Sequence, residues 1–285
     1  LVPLTVTVTG VGHNSVAGVD FHAAVTINGV TQNTPTQNGS SMFVNWPITL
    51  NVDSAAPSTV AIDLFGDGSQ IDIDPGADQS INLTVDPITC VWSGDLKWPS
   101  SLSQVVGGGG GNGNLSFAMS IPGTTTDSDG DGLPDSWETN GLDLDGNRGN
   151  GVALPLNPWG AKVDHKDLFL EFDWMSGAIP QREEINALKA AFAVAPIDAG
   201  NNASALPGGT DAHNNPDGLP GINLHVDTGG LTDGSGQLVG DNLGGGNQVS
   251  TLNVSNLNSN FYLLKNGNAG TPGNFNPARQ FAFRY

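Results

Sequence analysis

Apolar and polar residues alternate along the first third of the chain. Leu4, Val6 and Val8 take one side of a period-two pattern, and Thr5, Thr7 and Thr9 take the other. Successive side chains of an extended chain point to opposite faces, so this pattern predicts a half-buried strand. The alternation returns in FHAAVTING, which closes on the turn pair Asn28-Gly29, and in PITLNV, STVAIDLF, SINLTV and NLSFAMSI. In the last of these, Leu115, Phe117, Met119 and Ile121 share a face. Each run is bounded by Gly, Asn, Asp or Pro, the residues that favour turns. Short strands at this spacing predict an all-β region over 1–122, packed as a sandwich, with a flexible glycine loop at 107–111.

From about residue 162 the pattern changes to α/β. DLFLEFDW predicts a strongly apolar strand in which Glu171 and Asp173 alternate with Leu170 and Phe172. Pro180 opens a helix at a first turn, where a missing N–H is tolerated. Glu183 and Glu184 lie near its positive end. Ile185, Leu188 and Phe192 form one face, and Pro196 stops it. GINLHV predicts a second strand ending at Asp227. Residues 229–260 read as a turn-rich surface excursion, and QFAFRY as a last strand. The chain is thus expected to be mainly β: a sandwich over 1–122, a middle segment over 123–160 and an α/β region over 161–285.

Charge narrows what such a protein can meet. Of 285 residues, 28 are acidic and nine are Lys or Arg, giving a formal net charge of −19. Only Glu138, Glu171, Glu183 and Glu184 are glutamates, and no Lys or Arg precedes Lys97. Such a surface repels nucleic acid and anionic membranes. No run of 18 apolar residues offers a transmembrane segment. The single cysteine, Cys90, excludes an intrachain disulfide. The first residues carry no charged leader, so the chain reads as mature sequence, and a secreted, extracellular protein is expected.

The aspartates concentrate in one stretch, DSDGDGLPDSWE, residues 127–138. Carboxylates at positions 1, 3, 5, 9 and 12, around a glycine at position 6, form the loop pattern of an EF-hand calcium site. Asp127, Asp129 and Asp131 would give side-chain oxygens and Leu133 its carbonyl. Asp135 would bind directly or through water, and Glu138 would bind with both oxygens. Gly132 permits the sharp turn. Asp143, Asp145 and Asn147 repeat the early spacing without an acid at the twelfth position, Leu154, and are candidates for a second calcium. In the turn 211–221, Asp211, Asn214, Asn215 and Asp217 are candidates for a loop calcium, weighed against a turn whose Asn and Asp bond their own backbone.

Two resemblances follow from particular phrases. VDFHAAVTING, IDIDP and CVWSGD resemble the C2-like sandwich at the front of some secreted bacterial proteins. In C2 domains, acids from loops at one end hold calcium. The resemblance nominates Asp20, Asp63, Asp67, Asp72 and Asp74, although the family's dense aspartate run is short here. DSDGDGLPDSWETNG, HKDLFLEFDWM, GINLHVD and RQFAFRY resemble the front of a family of secreted bacterial zinc metallopeptidases. There a calcium loop, of thrombospondin type 3 or EF-hand form, precedes strand one of a zincin-type catalytic domain. A helix and a second strand follow.

The departure from that family is the zinc helix. H-E-x-x-H is absent, and His165, His213 and His225 each stand alone. A zincin needs two histidines one helical turn apart and a glutamate to activate water. No catalytic residue is assigned, and Glu171 and His225 read as strand-packing and loop residues. Zinc enters only if a catalytic half follows Tyr285. The resemblance implies the calcium-binding N-terminal part of a secreted zinc-dependent endopeptidase acting on protein or peptide. In that reading calcium clamps the sandwich to the catalytic domain. The alternative is a non-enzymatic extracellular calcium-stabilised module for adhesion or assembly, with a cell-surface partner.

Overall fold

The structure is a computed structural model. It describes all residues except 14–17, 75–77, 105–112, 146–147, 149–151, 198–214, 250–260, 264, 266, 269–270, 273–274 and 285. The protein is mainly β, and its chain divides into two compact units. The first comprises Leu1–Thr125 with Leu142–Ala153, and the second Thr126–Gly141 with Leu154–Tyr285. The expected middle segment, 123–160, is therefore divided between them.

The first unit contains β1 (Val2–His13), β2 (Val19–Ile27), β3 (Val30–Asn33), β4 (Gln37–Gly39), β5 (Ser41–Val52) and β6 (Ser58–Gly66). Then come β7 (Ser69–Ile71), β8 (Ile81–Val85), β9 (Trp92–Gly94), β10 (Leu102–Gln104) and β11 (Gly113–Ser120). One antiparallel sheet runs β10-β11-β1-β5, and the other runs β3-β2-β6-β8-β9 with β4 on β2 and β7 on β6. Inward residues of both sheets meet in one core. Leu4, Val6, Val8, Ile48, Leu115 and Phe117 from the first pack with Phe21, Val25, Val60, Ile62, Leu64, Ile81 and Leu83 from the second. Each such side chain contributes about 1.5–3 kcal/mol by leaving water, which is why the period-two pattern specifies the sandwich. β5 is longer than PITLNV, because Met42 and Phe43 also pair with Val11 and Gly10 of β1.

The second unit contains α1 (Asp135–Asn140), β12 (Asp167–Glu171), β13 (Trp174–Met175), α2 (Arg182–Phe192), β14 (Asn223–Asp227), β15 (Gln248–Val249), β16 (Gly267–Asn268), β17 (Thr271–Pro272) and β18 (Phe283–Arg284). β14, β12 and β18 form a parallel sheet with β12 in the centre. α2 connects β12 to β14. It starts two residues after Pro180, in a capping box in which Gln181 N–H donates to Glu184 Oε2 at 3.0 Å. Leu168, Leu170 and Phe172 pack with Leu224 and Val226 against Ile185 and Phe192 of the helix. Leu188, expected on that face, is exposed.

The last strand differs from expectation. Of QFAFRY, Gln280 and Phe281 end a 3₁₀ turn, Pro277–Phe281, and among the described residues only Phe283–Arg284 is extended. Asn276 caps the turn by accepting from Ala278 N, and Pro277 takes the first position, where its fixed φ suits a helical start.

The second face of the parallel sheet organises the chemistry. Asp167, Phe169 and Glu171 lie there in register with Asn223, His225 and Asp227. The His225 ring stacks on Phe169, with centroids 4.2 Å apart. Buried carboxylates thus stand at both ends of an aromatic middle.

Candidate metal centre

The acidic loop is wound by its own side chains. Asp127 accepts from Gly130 N at 2.7 Å and Gly132 N at 3.0 Å. Asp129 Oδ1 accepts from Asp131 N, and Asp131 Oδ1 from Leu133 N. Each is an aspartate bonding the backbone two to five residues on, the local geometry that makes aspartate a turn residue. Gly132 adopts φ +95°, a conformation that a side chain there would strain. The loop runs into α1, where Leu133 and Trp137 are buried and Glu138 is fully enclosed.

Two triads of carboxylates result. Asp127, Asp129 and Asp131 bring ligand oxygens within 4.8 Å of one another, and so do Asp131, Glu138 and Asp167. Asp131 belongs to both. Asp167, from β12, was not predicted. It is tied to the loop by its own N–H, which donates to Asp131 Oδ2 at 2.7 Å.

Two of these acids carry oxygens with no protein partner. Both oxygens of Glu138 and Oδ2 of Asp129 are buried without a hydrogen-bond partner. Among the described residues, no Lys or Arg forms an ion pair with any of the five carboxylates. The nearby Lys166 ammonium donates instead to the Asp129 carbonyl. Burial pushes the Glu138 carboxyl up to about 9, with Asp131, Asp129 and Asp167 adding repulsion. Burial and then Asp131 raise Asp129 to about 7, and burial raises Asp131 to about 6. Enclosing carboxylates costs several kcal/mol per ion unless a cation compensates. A divalent metal fits this all-oxygen set and would satisfy the orphaned oxygens.

Asp135 is placed differently from its fellow acids. Its Oδ1 accepts from Ser128 N at 2.8 Å and its Oδ2 from Ser128 Oγ at 2.7 Å. It latches the start of the loop to the start of α1.

The opposite end of the same sheet face offers a comparison. Glu171 and Asp227 are buried there with Arg279 between them. Arg279 Nε lies 2.6 Å from Glu171 Oε2 and Nη2 lies 2.5 Å from Asp227 Oδ2, while Nη1 donates to Leu243 O. The guanidinium also stacks on Phe283, 3.5 Å from its centroid. Burial still raises Glu171 to about 7, against the pull of Arg279. Arg279 thus lies between both acids as their counter-ion, although both Glu171 oxygens and Arg279 Nε have no hydrogen-bond partner.

The remaining candidates are scattered. Asp143 is buried, with Oδ2 lacking a hydrogen-bond partner, and burial raises it to about 6. Its Oδ1 accepts from Asp145 N at 3.3 Å. Asn147 lies outside the described residues, and no third acid joins this pair in a triad among those described. Nearby Asp86 is answered by Arg148 at 2.7 Å. Of the C2-like set, Asp20 holds Asn38, Asp67 caps Asp20 N, and Asp63 holds Gln70 and Ser80. Asp72 accepts from Asp74 N. Asp74 gathers instead with Asp78 and Asp95, a triad the spacing did not suggest, in which two members are exposed. Asp211 and Asn214 lie outside the described residues. Asp217 bonds Leu219 N and His165, which hold its carboxyl below the usual range. Asn215 is a scaffold residue that accepts from Lys166 N and donates to Leu219 O and Gly221 O.

A groove of ≈ 690 Å³ in the second unit is lined by Lys162, His165, Lys189, His225 and Asp241 among others. Its charges are committed: Lys189 to Asp241 at 2.7 Å, His165 to Asp217 at 3.0 Å and His225 to Asp167 at 2.5 Å. No helix among the described residues is long and apolar enough to cross a membrane. Compared with known proteins, the chain matches no family model and no curated protein.

Proposed function

We propose that this chain is an extracellular calcium-binding module whose ion is structural, seated by Asp127, Asp129, Asp131, Leu133 and Glu138. One observation carries the reading: Glu138 is fully buried, and neither carboxylate oxygen has a hydrogen-bond partner. An all-oxygen donor set with several carboxylates favours a hard dication, and a wound, irregular loop suits calcium better than the strict octahedron of magnesium. Calorimetric titration of the metal-stripped chain tests it. Binding of about one calcium at the loop, lost in Glu138→Gln, is the expected result. No heat of binding in the wild type up to millimolar calcium would end the reading.

We further propose that the module is the N-terminal calcium-binding part of a secreted zinc-dependent endopeptidase. Support comes from the phrases of residues 127–175 and from the parallel strand–helix–strand order β12–α2–β14. The test is the encoding gene beyond Tyr285, where an H-E-x-x-H helix is expected. One observation favours the non-enzymatic adhesion or assembly reading: His165 and His225 are each committed to a carboxylate. Chelator-sensitive proteolysis by the intact chain would exclude that alternative.

A further inference from the structure

We infer that Asp167 of β12 takes the ligand place that the loop's ninth residue, Asp135, leaves, so that one calcium is shared between the loop and the parallel sheet. This rests on the loop being a calcium site. Three observations converge. Asp135 belongs to neither carboxylate triad and instead accepts from Ser128 N and Oγ, at 2.8 and 2.7 Å. Asp167 stands with Asp131 and Glu138, ligand oxygens within 4.8 Å, and its side chain is fully buried. The unpartnered oxygens of Glu138 belong to that same triad.

Ligand counting agrees. Three loop aspartates, the Leu133 carbonyl and a bidentate Glu138 leave one vertex of a pentagonal bipyramid, the usual calcium geometry. Asp167 is also the best oriented acid available. Its Oδ2 accepts from Lys162 N at 2.8 Å, and its Oδ1 accepts from Asn223 Nδ2 at 2.7 Å and faces His225 Nε2 at 2.5 Å. Partners of this kind fix a ligating carboxylate and strengthen its hold on the ion. Through them the ion is linked to β14 as well as β12. A loop that reads as a self-contained EF-hand motif thus depends on a residue outside the motif. Calcium occupancy then governs the order of the β12–β14 pair.

The test is calcium titration of the whole chain and three variants, with thermal melts in calcium and after depletion. Asp167→Asn is expected to weaken binding at least about 10–100-fold, the range already seen when only a partner of a ligand is lost. It should also shrink the rise in Tm that calcium produces. Asp135→Asn should change affinity far less, and Glu138→Gln should abolish binding. If Asp167→Asn titrates like wild type while Glu138→Gln does not bind, the inference fails and the calcium site stands. If the wild type binds nothing, the calcium site itself fails. A purely structural Asp167 would lower Tm equally in both conditions, and that outcome also overturns the inference. Should Asp167→Asn not fold, a calcium-loaded crystal of the wild type decides. An Asp167 oxygen about 2.3–2.6 Å from the ion is expected. An ion bound by Asp135 and not by Asp167 would overturn the inference.

Discussion

Asp167 and Glu171 rise from the same buried face of β12, and the chain answers only one of them with an arginine. Glu171 meets Arg279 at 2.6 Å. Asp167 meets Asp131 and Glu138. The chain thus supplies an arginine at one end of this sheet face and more carboxylate at the other. The predictions follow from that asymmetry.

Removing calcium should destabilise the protein. With calcium at about 100 times its Kd, the bound ion contributes about 2.7 kcal/mol. For a chain of this size that corresponds to a drop of roughly 4–5 °C in Tm on depletion. Differential scanning calorimetry in calcium and in chelator measures it. An unchanged Tm would rule out a structural ion.

Glu138→Gln should reverse sign with conditions. In calcium it removes a ligand and lowers Tm. In depleted protein it removes an acid that must take up a proton to be buried beside Asp129, Asp131 and Asp167, and Tm at neutral pH should rise relative to wild type. A variant that is less stable in both states would show that Glu138 serves packing alone.

The depleted protein should also lose stability as pH rises. Folding raises Asp129 to about 7 and Glu138 to about 9, from about 3.9 and 4.3 in unfolded chain. Between those limits the folded state holds more protons than the unfolded state, so stability is greatest near the acidic end and falls toward pH 9. Calcium binds the deprotonated carboxylates and should flatten this trend. Melts at pH 5, 7 and 9 would show it, and a depleted-state Tm that rises with pH would contradict the buried acid cluster.

Arg279→Ala should cost about 3–5 kcal/mol whether or not calcium is present, because it strands Glu171 and Asp227 as buried charges. Urea unfolding in saturating calcium is the measurement. A loss below about 1 kcal/mol, the size of an ordinary hydrogen bond, would mean the network is not a clamp.

Cys90 offers a reporter for the first unit. It is buried, and its thiol is pushed up to about 12, chiefly by burial and then by Asp86. Almost no thiolate exists at neutral pH, so thiol reagents should react only on unfolding. The five loop-cluster acids all belong to the second unit.

How much of this was legible in the sequence depends on range. Leu4, Val6 and Val8 announced β1 because alternation is local and burial enforces it. Asp127, Asp129, Asp131 and Glu138 announced their loop because the pattern lies within twelve residues. Asp167 lies 29 residues beyond Glu138, and only the pairing of β12 with β14 and the Asp167–Asp131 backbone bond bring it in. A hint was available: Asp167 shares a strand face with Phe169 and Glu171, and an acid on a buried face demands a partner. Spacing also cannot reveal that both oxygens of Asp135 accept from Ser128. QFAFRY has strand composition, but the turn that starts at the Asn276-Pro277 cap takes in Gln280 and Phe281, which leaves Phe283–Arg284 as the strand.

The path of the chain between its units has a last consequence. The backbone passes from the first unit to the second after Thr125, returns after Gly141 and leaves again after Ala153. Leu142–Ala153 carries Arg148, the counter-ion of buried Asp86. A fragment ending near residue 122 would keep Asp86 and lose Arg148. No single cut separates one unit whole from every piece of the other, and no single recombination event can transplant one alone.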